Sequence, residues 1–195
     1  MTTRYSVTFD YRCPFARNAH EAVVSALRAG ADHDVRFVPF SLDQTHVEEG
    51  EPPLWARPES ERGTGLLALQ WGVAVRDNFP DQFLDFHLGA FAARHDAGRQ
   101  LKEETVLRDV AYASDLDPDV VAELVAGGEP LKVIAAEHTE MVEDHAMFGV
   151  PTFVAHGEAV FIRFMERNRA DDLQRALGLL DWSRLNEFKR TRLPR

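Results

Sequence analysis

Cysteine occurs once in the 195 residues, as Cys13, which rules out a disulfide within the chain. Long apolar runs are missing too, and none approaches the ~20 residues that a membrane-spanning helix needs. The opening residues MTTRYSVTFD hold no apolar stretch of the kind a secretory signal requires, so none is expected. Positive charge is scarce. Lys and Arg total 22 against 32 Asp and Glu, a formal net charge of −10, which argues against nucleic-acid or anionic-membrane partners. No G-x-G-x-x-G, P-loop or zinc-ligand spacing occurs, and no metal is expected. Together these absences predict a cytoplasmic protein in reducing surroundings.

What is present can fold. Hydrophobic residues make up 45% of the chain and charged residues 28%, enough apolar content for a sizeable core. Only the end runs against the acidic balance. Residues 183–195, SRLNEFKRTRLPR, carry five basic groups and one acid, and are read as a basic tail that packs on its own domain.

Tyr5, Val7 and Phe9 alternate with Ser6 and Thr8, the period of a strand. From Pro14 the period changes: Ala19, Ala22, Val23, Ala26 and Leu27 form a helical stripe that stops before Gly30. A second strand reads at residues 34–40, DVRFVPF. Strand, helix and strand within about 35 residues make a βαβ unit with parallel pairing. Residues 41–65 lack a period, and are expected to be a lid or a run of short helices. A block of about 80 residues then reads as all helix. In it Phe83, Phe86, His87, Ala90 and Phe91 share one face, and Leu131, Ile134, Ala135, His138, Met141, Val142 and His145 form another stripe. Asp117 and Pro118 suit an N-cap and first helical position. Strands resume at PTFVA and AVFIRF around the turn HGE, and a last helix covers residues 170–182.

On this map Cys13 falls just past the first strand, at the N-terminal end of the first helix. Unpaired backbone N–H groups and the helix dipole favour an anion there, and a thiolate is the reactive form of cysteine. Pro14 fits the first helical position, where its missing N–H has no partner to lose. A lone cysteine is more often a small buried hydrophobe, so its position alone does not make it catalytic. A second feature, GVPTF at residues 149–153, puts proline at a strand entry, where it is tolerated and can be cis.

The segment DYRCPFA at residues 10–16, the GVPTF segment and the helical block between them resemble the DsbA-like branch of the thioredoxin fold. The resemblance runs over residues 4–182, about nine-tenths of the chain. It implies an α/β thioredoxin fold, β-α-β then β-β-α, with an all-helical insertion between the halves. The expected division is residues 1–65 and 148–182 as a discontinuous thioredoxin-like domain, 66–147 as the helical insertion, and 183–195 as the tail. By the same resemblance Cys13 is the nucleophile. Pro151 is cis and faces the sulfur, and the backbone of Val150 pairs with a bound thiol or peptide. Pro14, Phe15, Val150, Pro151 and Thr152 are then the substrate-binding or thiol-binding residues.

The sequence departs from the family pattern at Ala16, where a dithiol oxidoreductase carries its second cysteine. A mixed disulfide on Cys13 would have no internal thiol to resolve it, so the expected chemistry is thiol-disulfide exchange or monothiol thiol transfer. Kappa-class glutathione transferases and 2-hydroxychromene-2-carboxylate isomerases resemble the same architecture but carry serine at this position and use bound glutathione. The alternative reading is therefore a transferase or isomerase that depends on a low-molecular-weight thiol. A third is a binding module that has lost the dithiol. No covalent cofactor is expected; glutathione, mycothiol and bacillithiol all stay open as small thiols. Expected partners are a small thiol or disulfide, or a protein thiol, and a homodimer is compatible with the resemblance.

Arg12 and Arg17 are candidates to bring positive charge near the sulfur, with Asp10 opposing them, for a modestly lowered Cys13 pKa. His20 lies seven residues on from Cys13, about 10 Å along a regular helix, and reads as a surface or groove residue. His138 and His145 read as core histidines, with His145 also a candidate to approach the sulfur pocket, and His87 as part of a substrate wall.

Overall fold

The computed structural model describes residues 2–187. Strand β1, Thr3–Phe9, pairs in parallel with β2, His33–Pro39, in a register that sets Thr3 opposite His33 and Phe9 opposite Pro39. The crossover is helix α1, Pro14–Arg28. After the helical block, β3, Thr152–Ala155, lies antiparallel to β1, with Val7 opposite Phe153. It turns back into β4, Glu158–Phe161, giving the sheet order β2-β1-β3-β4. This is the α/β thioredoxin arrangement with a helical insertion. The central position of β1 explains its composition: Val7, Thr8 and Phe9 are all fully buried, because both faces of the sheet are covered.

The hairpin turn consists of His156 and Gly157, both left-handed at φ 55 and 81. A two-residue turn needs that hand to match the strand twist, and only glycine adopts it without cost. Strand β4 is shorter than the alternation of AVFIRF suggests. It ends at Phe161, and beyond it the Phe164 carbonyl accepts from Asn18 Nδ2 at 2.9 Å while its ring stacks on Phe153. One more bond, Ile162 N to the Pro151 carbonyl at 3.1 Å, follows the last ladder pair, and contacts with α1 and β3 then take over.

Between β2 and β3 run helices α2, Leu66–Asn78; α3, Pro80–His95; α4, Glu104–Ala113; α5, Pro118–Ala126; and α6, Glu129–His145. Asp117 caps α5 by accepting from Asp119 N at 2.9 Å, with Pro118 first in the helix. Helix α2 is buried nearly all round, as its continuous apolar stretch requires. The last helix, α7, Ala170–Leu180, is shorter than expected and buries Leu173, Ala176 and Leu180. Trp182 falls outside it and is exposed.

Residues 41–65 hold three single 3-10 turns, at Gln44–His46, Leu54–Ala56 and Glu59–Glu61. Asp43 ties the segment down, with its carboxylate accepting from Arg12 Nη1 at 2.7 Å and from the backbone N–H groups of Thr64 and Gly65. No helix among the described residues is long and apolar enough to cross a membrane. Most of the basic tail, residues 188–195, lies outside the described residues.

Candidate active site

Cys13 is the N-cap of α1. Its backbone is extended, at φ −86 and ψ 116, and its sulfur accepts the Ala16 N–H at 3.4 Å. This is the position a serine or aspartate oxygen takes when it caps a helix. On the other side the thiol donates to the Val150 carbonyl at 3.4 Å, across 137 positions of sequence. The Val150–Pro151 peptide bond is cis. Thr152 anchors that loop: its N–H donates to Thr8 Oγ1 at 3.0 Å and its hydroxyl to the Gly149 carbonyl at 2.8 Å. The structure thus brings Cys13 against Val150, with Pro14 opening α1 and Phe15 half-buried on its first turn. Thr152 is buried and bonded to β1.

Asp10 is fully buried and holds this corner together. One carboxylate oxygen accepts from Arg12 N and Nε at 2.9 and 3.2 Å, and the other from Arg12 Nη2 and Leu42 N, both at 3.0 Å. The Asp10 carbonyl accepts from Cys13 N at 3.0 Å, closing the turn that delivers the cysteine to the helix. Every oxygen of this buried carboxylate is therefore satisfied.

The cysteine pKa is not lowered. Only 8% of Cys13 is exposed, and burial pushes its thiol up, with the Asp10 carboxylate adding to the rise. The Ala16 and Phe15 N–H groups and the Arg163 charge pull it down without offsetting that. The arginines expected to tune the sulfur are occupied elsewhere. Arg12 sits between Asp10 and Asp43, while Arg17 is buried against Glu21 at 3.2 Å and Asp96 at 2.5 Å. The cation whose charge favours the thiolate is Arg163, which no local pattern singles out because it lies in the irregular segment just past β4.

His20 is not on the surface. It is fully buried in a chain of hydrogen bonds with the equally buried Tyr11 and His87. Tyr11 Oη lies 2.9 Å from His87 Nδ1, His87 Nε2 lies 2.8 Å from His20 Nδ1, and His20 Nε2 lies 3.1 Å from the Thr8 carbonyl. That carbonyl can only accept, so with both rings neutral the protons have one arrangement: Tyr11 donates to His87, His87 to His20, and His20 to Thr8. Burial keeps the rings neutral, holding His20 at about 4 and His87 well below its ordinary value. His87 is therefore part of the core, wrapped by Phe9, Phe37, Phe83 and Phe91, and not a substrate wall. His20 stands one turn from Val23 on the apolar stripe of α1, and that helical spacing is the signal that places it inside.

A family model described as a DSBA-like thioredoxin domain matches residues 80–178, just over half of the chain. The chain belongs to that family. The matched stretch of this DsbA-like chain contains Val150, Pro151 and Arg163 but begins after Cys13. No curated protein matches the sequence. Among solved structures it is similar to a 2-hydroxychromene-2-carboxylate isomerase, at TM-score 0.66 and 14% identity over 93% of this chain and 98% of that one. It is also similar to a probable DsbA oxidoreductase from Streptomyces coelicolor, at TM-score 0.64 and 16% identity over 95% and 92%. DsbA from Pseudomonas aeruginosa gives TM-score 0.61 and 16% identity over 93% and 83%. These likenesses are of fold.

The remaining histidines of the DsbA-like chain stand apart from the sulfur. His138 accepts from Ser41 N at 3.2 Å, stacks on Phe40, and is held by burial at about 4. His145 is half-exposed at the end of α6, and no contact joins it to Cys13. His95, unsignalled by the sequence, donates from Nε2 to the Tyr11 carbonyl at 2.9 Å and so supports the turn before Cys13. Among the described residues no group of three or more His, Cys, Asp and Glu could hold a metal ion.

Proposed function

We propose that this protein is a monothiol member of the DsbA-like family, transferring thiols or exchanging disulfides through Cys13. The observation that carries the reading is the position of the sulfur, which caps α1 through Ala16 N and faces the Val150 carbonyl next to a cis proline. At rest Cys13 is a thiol that donates to Val150. Loss of its proton to solvent leaves a thiolate that keeps the Ala16 hydrogen bond and the helix N-terminus. The thiolate attacks one sulfur of a disulfide; a new S–S bond forms, the old one breaks, and the other sulfur leaves with the bonding pair as a thiolate. Ala16 offers no second thiol, so a thiol from solution must resolve the mixed disulfide. The lone cysteine supports a reducing, cytoplasmic setting for such chemistry.

The raised Cys13 pKa favours a second reading. In it Cys13 stays a thiol and hydrogen-bonds a bound low-molecular-weight thiol such as glutathione or mycothiol, which performs a conjugation or isomerisation.

Incubation of the protein with glutathione disulfide, followed by intact-mass measurement and by release with a second thiol, tests the first reading. A Cys13 adduct that forms, turns over and is absent in Cys13→Ala is expected. Activity that needs a small thiol and persists in Cys13→Ser would favour the second reading. A Cys13 that forms no adduct and supports no turnover would leave a binding module.

A further inference from the structure

Most of the described arginines in this acidic chain face a carboxylate, as Arg12, Arg17, Arg36, Arg76, Arg108 and Arg167 do. Arg163 does not. Among the described residues its guanidinium meets no carboxylate and makes no hydrogen bond. It lies over two aromatic faces, with Cζ 5.3 Å from the Phe15 ring centroid and 5.7 Å from that of Phe161. Those rings sit on the two segments that carry the cysteine site. Phe15 is on the first turn of α1, two residues after Cys13. Phe161 pairs with Thr152 across the β3–β4 hairpin. The Phe161 ring also contacts Phe148 at 5.1 Å, and Phe148 is 70% exposed. Next to it, Gly149 lies against the same ring, which a Cβ there would meet at the van der Waals distance of 3.4 Å.

The two cation–π contacts use none of the guanidinium N–H donors, and Arg163 is exposed, so those donors are free to bind a ligand from solution. A planar fork of donors is the group that recognises a carboxylate with two parallel hydrogen bonds. The exposed ring of Phe148 and the half-buried rings of Phe15 and Phe161 supply apolar surface alongside it. The Arg163 charge is also felt at the Cys13 sulfur, which places both in one electrostatic neighbourhood.

Building on the thiol-exchange reading of Cys13, we infer that Arg163 is the specificity-determining residue of the site: it selects small thiols and disulfides that carry a carboxylate beside the sulfur. The carboxylate takes the guanidinium fork, the connecting atoms lie over the phenylalanines, and the substrate sulfur meets Cys13. In the reaction with such a disulfide the Cys13 sulfur bonds to one substrate sulfur, the substrate S–S bond breaks, and the second carboxylate-bearing half leaves as a thiolate.

The test compares the rate of mixed-disulfide formation with dithiobis-nitrobenzoate, an aromatic disulfide carrying two carboxylates, against that with neutral dithiodipyridine. Each rate is divided by the rate with an unstructured cysteine peptide, which removes the reagents' own reactivity. The corrected anionic-to-neutral ratio is expected to exceed one in the native protein and to fall about tenfold in Arg163→Gln, the scale of one charge-assisted interaction. A change in thiol pKa alone would move both rates together and leave the ratio unchanged. Arg163→Glu should turn the preference toward the cationic disulfide cystamine, and added salt should lower the native ratio. A native ratio near one, or one that Arg163→Gln leaves unaltered, overturns the role of Arg163 while the Cys13 chemistry stands. Native protein that reacts with neither disulfide overturns both.

Discussion

The Nε2–H of His87 donates to Nδ1 of His20 over 2.8 Å, and neither ring has any exposed surface. Both imidazoles are kept neutral by burial, His20 at about 4 and His87 well below 6.5. The unfolded chain protonates them near 6.5. Between these values the unfolded state holds more protons, so stability is full above about pH 6.5 and is lost as pH falls toward 4. His138, also held at about 4, adds to the same slope. The loss should reach a few kcal/mol and begin before carboxylates titrate. Urea midpoints taken at steps between about pH 7 and pH 5 should fall steadily with an unchanged slope of free energy on denaturant. A flat midpoint over that range would contradict the buried neutral pair.

The pH dependence of Cys13 alkylation follows from its burial. Its rate midpoint should lie above the ~8.5 of a free cysteine, because desolvation and Asp10 outweigh the helix N–H groups and Arg163. Arg163→Gln removes a charge that favours the thiolate and should move the midpoint higher still. A midpoint below that of free cysteine would show the helix terminus prevailing over burial.

Gly72, inside α2, makes room for Tyr11. A Cβ at that position would stand 2.5 Å from Tyr11 Oη and 3.0 Å from a ring carbon. Gly72→Ala gains about 1 kcal/mol of helix propensity, but overpacking costs ~1–3 kcal/mol. Displacing the phenol also costs about 1 kcal/mol of its bond to His87. The balance is a net loss, read as a Tm lowered by a few degrees for a chain of this size. A raised Tm would mean that Tyr11 moves aside freely.

Ala16 is fully buried and its N–H bonds the Cys13 sulfur. Ala16→Cys should place a second thiol within reach of the first. Oxidation should then remove both free thiols, and mixed disulfides on Cys13 should release their substrate half without an added thiol. The reduced variant should lose about 1–3 kcal/mol to overpacking, visible in its denaturation midpoint. Two thiols that persist after oxidation would show that this helix start cannot accommodate the bridge.

Much of the architecture was legible because it rests on local periodicity. Tyr5, Val7 and Phe9 alternate, the α1 stripe repeats at helical spacing, and Asp117 with Pro118 marks a helix start; the structure has all three elements within a residue or two. The end of β4 is not legible, because Ile162 to Phe164 keep the strand pattern while Phe164 is taken up by Asn18 of α1 and Phe153 of β3. Cys13 and the segment 149–153 were also legible, since strand end, helix start and proline are each short-range signals. Arg163 was not, because its importance comes from lying over Phe15, far away in sequence.

The sequence by itself determined the element order, the thiol at a helix start, and the missing second cysteine at Ala16. Residue type and spacing suffice for those. Only the tertiary structure decided the electrostatics. Asp10 had to be found fully buried and committed to Arg12 and Leu42, His20 inside with His87, and Arg163 left, among the described residues, without a carboxylate. Burial and partner choice are set by segments that meet across the fold, and the energy of a charge depends on both.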